Sequence, residues 1–379
     1  MSSTVLSIQE QARYSRHLNL PQFGIATQEK LKSSRVLVVG TGGLGAPLLQ
    51  YLTAAGVGTI GVVDFDVVDE SNLQRQVLFG TSDIGKDKTS VAIERLKDQN
   101  PHVKFIEYKT RLDSSNALEI VRDYDVIADG TDNFPTRYLV NDACVLAGKT
   151  NVYASIFQFE GQVSVFNHLV DGERGPNYRD LFPSPPPPGM VPSCAEGGVL
   201  GVLPGIVGSI QAAEVIKVLT GIGSALVGRL FVFDALDFSA RTLNVRKDPS
   251  NPISGSNPTI HALIDYEEFC GMKDEVAWIE WSVDQLRARR DEVILIDVRE
   301  PYEYEAANIG GQLIPMGKLE EHLDEIPTRG HVVVHCKAGG RSAKAIQMLS
   351  EKHGYANLIN LQGGILAWKE RYNPDLAVI

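Results

Sequence analysis

Cysteine is scarce. The 379 residues hold four, Cys144, Cys194, Cys270 and Cys336, far apart and forming no C-x-x-C pair. That leaves a disulfide framework or a zinc cluster without ligand pairs. Cys144 and Cys270 are expected to be small buried hydrophobes in a reducing compartment. Positive charge is also short: 36 Lys and Arg face 47 Asp and Glu, a net charge of -11, which argues against a general nucleic-acid binder. No apolar run reaches the ~18 residues of a membrane span. The first ten residues, from Met1 to Glu10, lack a basic stretch followed by an apolar core, so a cytoplasmic rather than secreted protein is expected. What remains, 43% hydrophobic and 22% charged, is an ordinary globular composition. The length suits two or three domains of ~150 residues.

The most informative stretch runs from Arg35 to Asp66. An apolar run, Arg35-Val-Leu-Val-Val, enters Gly40-Thr-Gly-Gly-Leu-Gly45 and then a helical segment from Leu44 to about Ala55. A continuous apolar run suits a parallel strand covered on both faces. The glycines allow a sharp turn that aims backbone N–H groups at a phosphate. A second apolar run, Ile60-Gly-Val-Val, ends in Asp64 and Asp66, the spacing at which an acidic side chain meets a ribose hydroxyl. A purely structural strand-to-helix turn is the competing reading, and the glycine turn leaves NAD and ATP undecided.

Arg13 and Arg16, three apart, fit one helix face, with a merely solvated face as the competing reading. Asp69-Glu-Ser-Asn72-Leu-Gln-Arg75-Gln is a polar loop, and its guanidinium presents several donors in a fixed fork suited to phosphate. A helix opens near Lys88 and stops at Asn100-Pro101. A lysine at a helix start opposes the helix dipole but suits a triphosphate. Tyr124 to Asp129 reads as another buried strand, followed by Gly130-Thr-Asp132-Asn133 and a helix primed by Pro135. Asp132 then stands at the carboxyl end of a parallel strand, where open α/β sheets place chemistry, with a helix cap as the alternative. Residues 151–166 read as two strands. The Pro-rich stretch 172–198, carrying Cys194 between prolines and glycines, reads as a long irregular loop that makes this cysteine more accessible than a core one. A helix follows from about Ile206 to Leu219, with core packing or a subunit contact as its uses. Leu230-Phe-Val-Phe and Thr242-Leu-Asn-Val read as closing strands.

Residues 246–272 are polar and rich in Pro, Ser, Asn and Gly, and read as a linker. A second α/β pattern then restarts. Its strand His331-Val-Val-Val-His335 delivers Cys336-Lys-Ala-Gly-Gly-Arg341-Ser to a helix start. Backbone donors and the positive helix end around one sulfur favour thiolate. Four residues separate Cys336 from Arg341, a loop that fits one extra sulfur better than a phosphate.

On these residues, Met1 to about Asp248 resembles the MoeB and ThiF adenylyltransferases, relatives of ubiquitin-activating enzymes. Asp297-Val-Arg-Glu-Pro, Cys336 to Ser342 and Gly363-Gly-Ile-Leu-Ala-Trp368 make the remainder similar to a rhodanese domain. The order matches the fused MoeZ- and MOCS-type sulfur-carrier activators. The resemblance implies an α/β fold: a Rossmann-like adenylating domain with a mixed sheet over residues 1–248, a linker over 249–275, and a small rhodanese-like sulfurtransferase domain over 276–379. It implies Gly43, Asp64, Ser71, Asn72, Arg75, Lys88, Asp132 and Asn133 as contacts to ATP, with magnesium on Asp132. Arg16 is implied to reach the phosphates from the second subunit of a homodimer, and Cys194 to take the activated acyl group. Cys336 would carry a persulfide, with Arg341 in its loop.

The implied partners are a small ubiquitin-like sulfur-carrier protein ending in Gly-Gly and a persulfide donor such as a cysteine desulfurase or thiosulfate. No membrane or direct nucleic-acid partner is implied. The implied reaction is adenylation of the carrier's carboxylate, then sulfur transfer to give a thiocarboxylate for molybdenum cofactor, thiamine, tRNA thiolation or cysteine synthesis. One departure stands out. The family usually holds zinc on two C-x-x-C pairs, and the matching positions are Asn177, Asp180, Asn251 and Ser254, so no structural zinc is expected. An NAD-dependent oxidoreductase with a regulatory rhodanese domain shares the glycine turn but has no use for Arg75, Lys88 and Asp132. A non-catalytic adaptor would tolerate loss of Cys336.

Overall fold

The computed structural model describes residues 5–186, 197–271 and 279–378. The chain divides into two compact units, Met1–Lys273 and Asp274–Ile379.

The first unit is built on β1 (Arg35–Val39), β2 (Thr59–Val63), β3 (Lys104–Tyr108), β4 (Val126–Asp129), β5 (Thr150–Phe157) and β6 (Glu160–Phe166). A small ribbon of β7 (Leu169–Val170) and β8 (Glu173–Arg174) follows, and β9 (Arg229–Asp234) and β10 (Ser239–Asn244) close the sheet. Its order is β10-β9-β6-β5-β4-β1-β2-β3. The five strands from β5 to β3 are parallel, and β6, β9 and β10 run antiparallel. The order reverses between β1 and β4, which is where an open α/β sheet forms its ligand crevice.

The apolar β1 run is explained by cover on both faces. Val36 and Val38 join a core with the helices Gly45–Ala55, Lys88–Gln99 and Leu203–Thr220. Leu37 and Val39 join another with Ala117–Arg122 and Phe134–Leu146. All four side chains are essentially removed from water, at about 1.5–3 kcal/mol for each fully buried side chain of this kind.

Four sequence expectations are corrected. Arg13 and Arg16 do not share a helix: Ile8–Arg13 ends at Tyr14, and Ser15–Leu18 begins after it. The stretch 172–198 is not wholly irregular, because Asn177 caps a short helix, Tyr178–Leu181. Leu203–Thr220 is long and apolar enough to cross a membrane by length and composition, with a mean hydropathy of 1.2 over 18 residues. Glu214 and Lys217 hid that run, but the helix packs in the fold on β5, β6 and Gly45–Ala55. Finally, the linker stretch 249–275 is, as far as residue 271, packed on the first unit. Asn251, Ile253, Tyr266 and Cys270 are buried there, and Tyr266 donates its hydroxyl to Asp142 at 2.8 Å.

The second unit has β11 (Ile279–Trp281), β12 (Val293–Asp297), β13 (Gln312–Leu313), β14 (His331–His335) and β15 (Leu358–Leu361). They form one parallel sheet in the order β11-β15-β14-β12-β13. Helix Gly340–His353 starts just beyond β14.

Candidate functional sites

In the first unit, the turn after β1 is tied to the turn after β4. Gly40 has φ +91°, and a Cβ there would sit 3.2 Å from the Gly130 carbonyl oxygen; a Cβ on Gly45 would be 2.0 Å from the Gly40 oxygen. Only glycine lets these backbones close, so the helix Gly45–Ala55 opens directly onto the crevice. Gly43, Asp64, Arg75, Lys88, Asp132 and Asn133 all line that one cleft.

Asp64 leaves the end of β2. Its Oδ2 accepts from the Thr41 amide at 2.8 Å and hydroxyl at 2.6 Å, and its Oδ1 from the Asp66 amide. Those bonds fix the carboxylate at the crevice rim. Lys88 is almost buried, and its ammonium lies 2.9 Å from Asp66 Oδ2. That pair offsets the unfavourable placing of a cation at a helix start. Asn133, not Asp132, caps the helix Phe134–Leu146, accepting from the Thr136 amide at 3.0 Å. The helix-cap reading of Asp132 is thereby corrected, and its carboxylate stands exposed in the cleft.

Ser71, Asn72 and Arg16 are not among the residues lining the cleft. Ser71 and Asn72 shape the turn that carries Arg75, whose Nη1 donates to the Ser71 carbonyl at 3.0 Å. Arg16 is exposed on its short helix. Cys194 lies outside the described residues.

Sequence reasoning missed several lining residues, Gln76, Phe65 and Arg111 among them. Gln76 is buried with its Oε1 unpartnered among the described residues; its neighbour Arg75 was the available signal. Phe65 and Arg111 also line the cleft, the guanidinium 5.6 Å from the ring centroid. Nothing in their spacing marks them. Beneath the floor, burial pushes the Asp129 carboxyl up.

The positions matching the family's zinc ligands hydrogen-bond to one another. Asn177 Nδ2 donates to Ser254 Oγ at 2.7 Å, Asn251 Nδ2 to Asp180 Oδ1 at 2.7 Å, and Asp180 Oδ2 accepts from the Asn177 amide at 2.7 Å. Amide and hydroxyl groups already paired in this way, with no thiolate or imidazole among them, do not fit a zinc ion. They join residues 177–180 to 251–254 directly.

In the second unit, the Asp297-Val-Arg-Glu-Pro motif is structural. Arg299 is fully buried, donating to Asp297 Oδ2 at 2.7 Å and to the Ala307 carbonyl at 2.7 Å, and so satisfies the end of helix Pro301–Ala306. That helix presents Glu303, which accepts two bonds from Arg341 at 2.6 Å each. The pairing pushes the guanidinium of Arg341 up and holds the Glu303 carboxyl below its usual range against burial, which acts the other way.

Cys336 Sγ is buried, accepting from the Gly339 amide at 3.2 Å, with the Ser342 hydroxyl at 3.6 Å. The second glycine motif braces this loop from behind. Ile365 and Leu366 amides donate to the Cys336 and Lys337 carbonyls, and a Cβ on Gly364 would lie 2.4 Å from the Cys336 oxygen.

Residues 14–253 match the ThiF family and residues 282–371 a rhodanese-like domain. The chain is 50% identical over 387 residues to the probable adenylyltransferase/sulfurtransferase MoeZ of Mycobacterium tuberculosis, covering 99% of this chain and 97% of the relative. It is 58% identical over 266 residues to a sulfur carrier protein adenylyltransferase of Thermus thermophilus, covering 70% of this chain and 98% of that protein. The mouse adenylyltransferase and sulfurtransferase MOCS3 is 42% identical, with 96% and 86% covered. Among solved structures, E. coli MccB shares the fold at a TM-score of 0.58 and 22% identity, covering 69% of this chain and 77% of that one.

Proposed function

The chain belongs to the ThiF family and carries a rhodanese-like domain behind it, and from that premise we propose that it activates the Gly-Gly carboxylate of a small ubiquitin-like sulfur carrier with ATP and then supplies it with sulfur. It is an adenylyltransferase and a sulfurtransferase. The observation that carries the reading is the gathering of Asp64, Arg75, Lys88 and Asp132 around one glycine-walled cleft. Two cations and an exposed carboxylate beyond the ribose position suit a triphosphate and have no work to do on a dinucleotide.

In this reading Asp64 takes the ribose, while Arg75 and Lys88 offset charge growing on the phosphates. Asp132 would hold the magnesium ion that travels with ATP and neutralises phosphate charge. A carrier carboxylate oxygen attacks the α-phosphorus; the bond from that phosphorus to the bridging oxygen breaks, and pyrophosphate leaves an acyl-adenylate. The terminal sulfur of a Cys336 persulfide then attacks the acyl carbon and AMP departs, giving an acyl disulfide. A thiol, Cys194 or an external one, attacks Cys336 Sγ; the S–S bond breaks and the thiocarboxylate leaves. An external dithiol then reduces the new disulfide, is itself oxidised to a disulfide, and restores the Cys336 thiol. In the same reading the protein is a homodimer, and Arg16, exposed and outside the lining of its own subunit's cleft, serves the partner's site.

Carrier-dependent exchange of pyrophosphate with ATP tests the first half. Asp132→Ala abolishes exchange, and Cys336→Ala keeps exchange while stopping thiocarboxylate formation. A full panel of Gly-Gly-ended carriers that yields no exchange with the unmodified enzyme sinks the reading.

A further inference from the structure

Behind the Cys336 sulfur runs a line of polar side chains that sulfur transfer, as described above, does not use. Ser342 is fully buried. Its hydroxyl lies 3.6 Å from Cys336 Sγ, 2.7 Å from Asn360 Oδ1 and 3.0 Å from the Gly339 carbonyl oxygen. Asn360 sits on β15, 3% exposed. Its amide nitrogen donates to Glu280 Oε1 at 3.0 Å, across the register that pairs Glu280 of β11 with Asn360. Glu280 itself is exposed.

The orientation of the Asn360 amide follows from chemistry. An ionised carboxylate only accepts, so the nitrogen must face Glu280 and the carbonyl must face Ser342. A hydroxyl carries one proton, and the shorter contact is to Asn360. When the sulfur is a thiol, its S–H can donate to Ser342 Oγ, whose own O–H donates to Asn360 Oδ1, and the line is unbroken. When the sulfur is ionised it needs the Ser342 proton, and Asn360 competes for it. Among the described residues the Gly339 amide, at 3.2 Å, is then the remaining donor to the sulfur, and the loop's own Arg341, paired with Glu303, is the cation that acts on it.

We propose that Asn360, oriented by Glu280, is a positioning residue that draws the Ser342 proton away from Cys336 and so sets the pH at which this sulfur becomes nucleophilic. The importance for turnover rests on Cys336 being the sulfur carrier of the proposed reaction; the hydrogen-bonded line and its test do not.

The test is the pH profile of iodoacetamide alkylation of Cys336 in the full-length protein, read on the Cys336 peptide by mass spectrometry. Glu280→Ala changes an exposed side chain and frees the amide to turn its nitrogen toward Ser342 Oγ. The hydroxyl is then released to the sulfur, and the profile moves to lower pH by about half a unit, roughly threefold in rate on its rising limb. Asn360→Ala moves it the same way. The decisive arm is Glu280→Ala in a Ser342→Ala background, where no shift is expected. A shift that persists there is the through-space effect of the lost charge and overturns the proposal, as does an unmoved profile in Glu280→Ala alone. Either result is separate from whether a carrier ever receives sulfur.

Discussion

Arg341 and Glu303 meet fork to fork, each guanidinium nitrogen 2.6 Å from its own carboxylate oxygen. The arginine of the sulfur loop is thus fastened to a helix that begins four residues after the end of β12, not left free above the sulfur. Such a bidentate pair adds geometry as well as energy. Glu303→Gln keeps the volume but can satisfy only one arm of the fork. We expect a loss of about 1–3 kcal/mol in urea unfolding of the second unit, together with slower persulfide formation on Cys336. Unchanged loading in a destabilised variant would show that the pair braces the fold without holding the loop.

His335 lies on β14 directly before Cys336, fully buried and 3.6 Å from Asp297. Burial pushes its imidazole down to about 4, with the nearby Asp297 carboxylate acting the other way. The folded value is below the unfolded one of about 6.5, so between the two the unfolded chain binds more protons. Stability is therefore full above about pH 6.5, falls as the pH drops toward about 4, and is flat in this group below that. The loss amounts to about 3 kcal/mol at most for a shift of this size. His335→Gln removes the titration, and its urea midpoint should vary less over the same window.

Asn177, Asp180, Asn251 and Ser254 offer a different kind of test. Their mutual hydrogen bonds join two segments some 70 residues apart in sequence, a separation of 77 for the Asn177–Ser254 bond. Asn177→Ala breaks bonds to half-buried Ser254 and to the buried Arg179 amide, and the buried amide left unsatisfied costs about 1–3 kcal/mol. Melting should be unchanged by a strong chelator in the unmodified protein and lowered by several degrees in Asn177→Ala. Chelator-sensitive melting would mean that a metal, not this network, holds the segments.

The strands were legible because β1, β2 and β4 are covered on both faces, which writes itself as runs such as Val36-Leu37-Val38-Val39. The cleft was legible to the extent that its members lie at strand ends next to glycines: Gly43, Asp64 and Asp132. Gln76, Phe65 and Arg111 enter through packing between loops, which leaves no period in the sequence. β11 and β13, three and two residues long, are too short to show alternation. The buried face of Leu203–Thr220 runs through Leu203, Val207, Gln211 and Val215. An interior glutamine on that face disguised it, yet Gln211 is satisfied there by the Asp129 and Val152 carbonyls.

The placing of Arg16 leads to a complementation experiment. If Arg16 serves the partner's cleft, Arg16→Ala and Asp132→Ala are each inactive in exchange as pure homodimers. A mixed dimer then has one site lacking both residues and one site with both intact. Refolding the two variants together in equal amounts should restore about a quarter of the unmodified activity, because about half the dimers are mixed and each holds one good site. Were Arg16 to act within its own subunit, both sites of the mixed dimer would be defective and no activity would return. Sedimentation of the unmodified protein decides the premise separately: a monomer at the assay concentration removes the proposed partner, whatever the mixing shows.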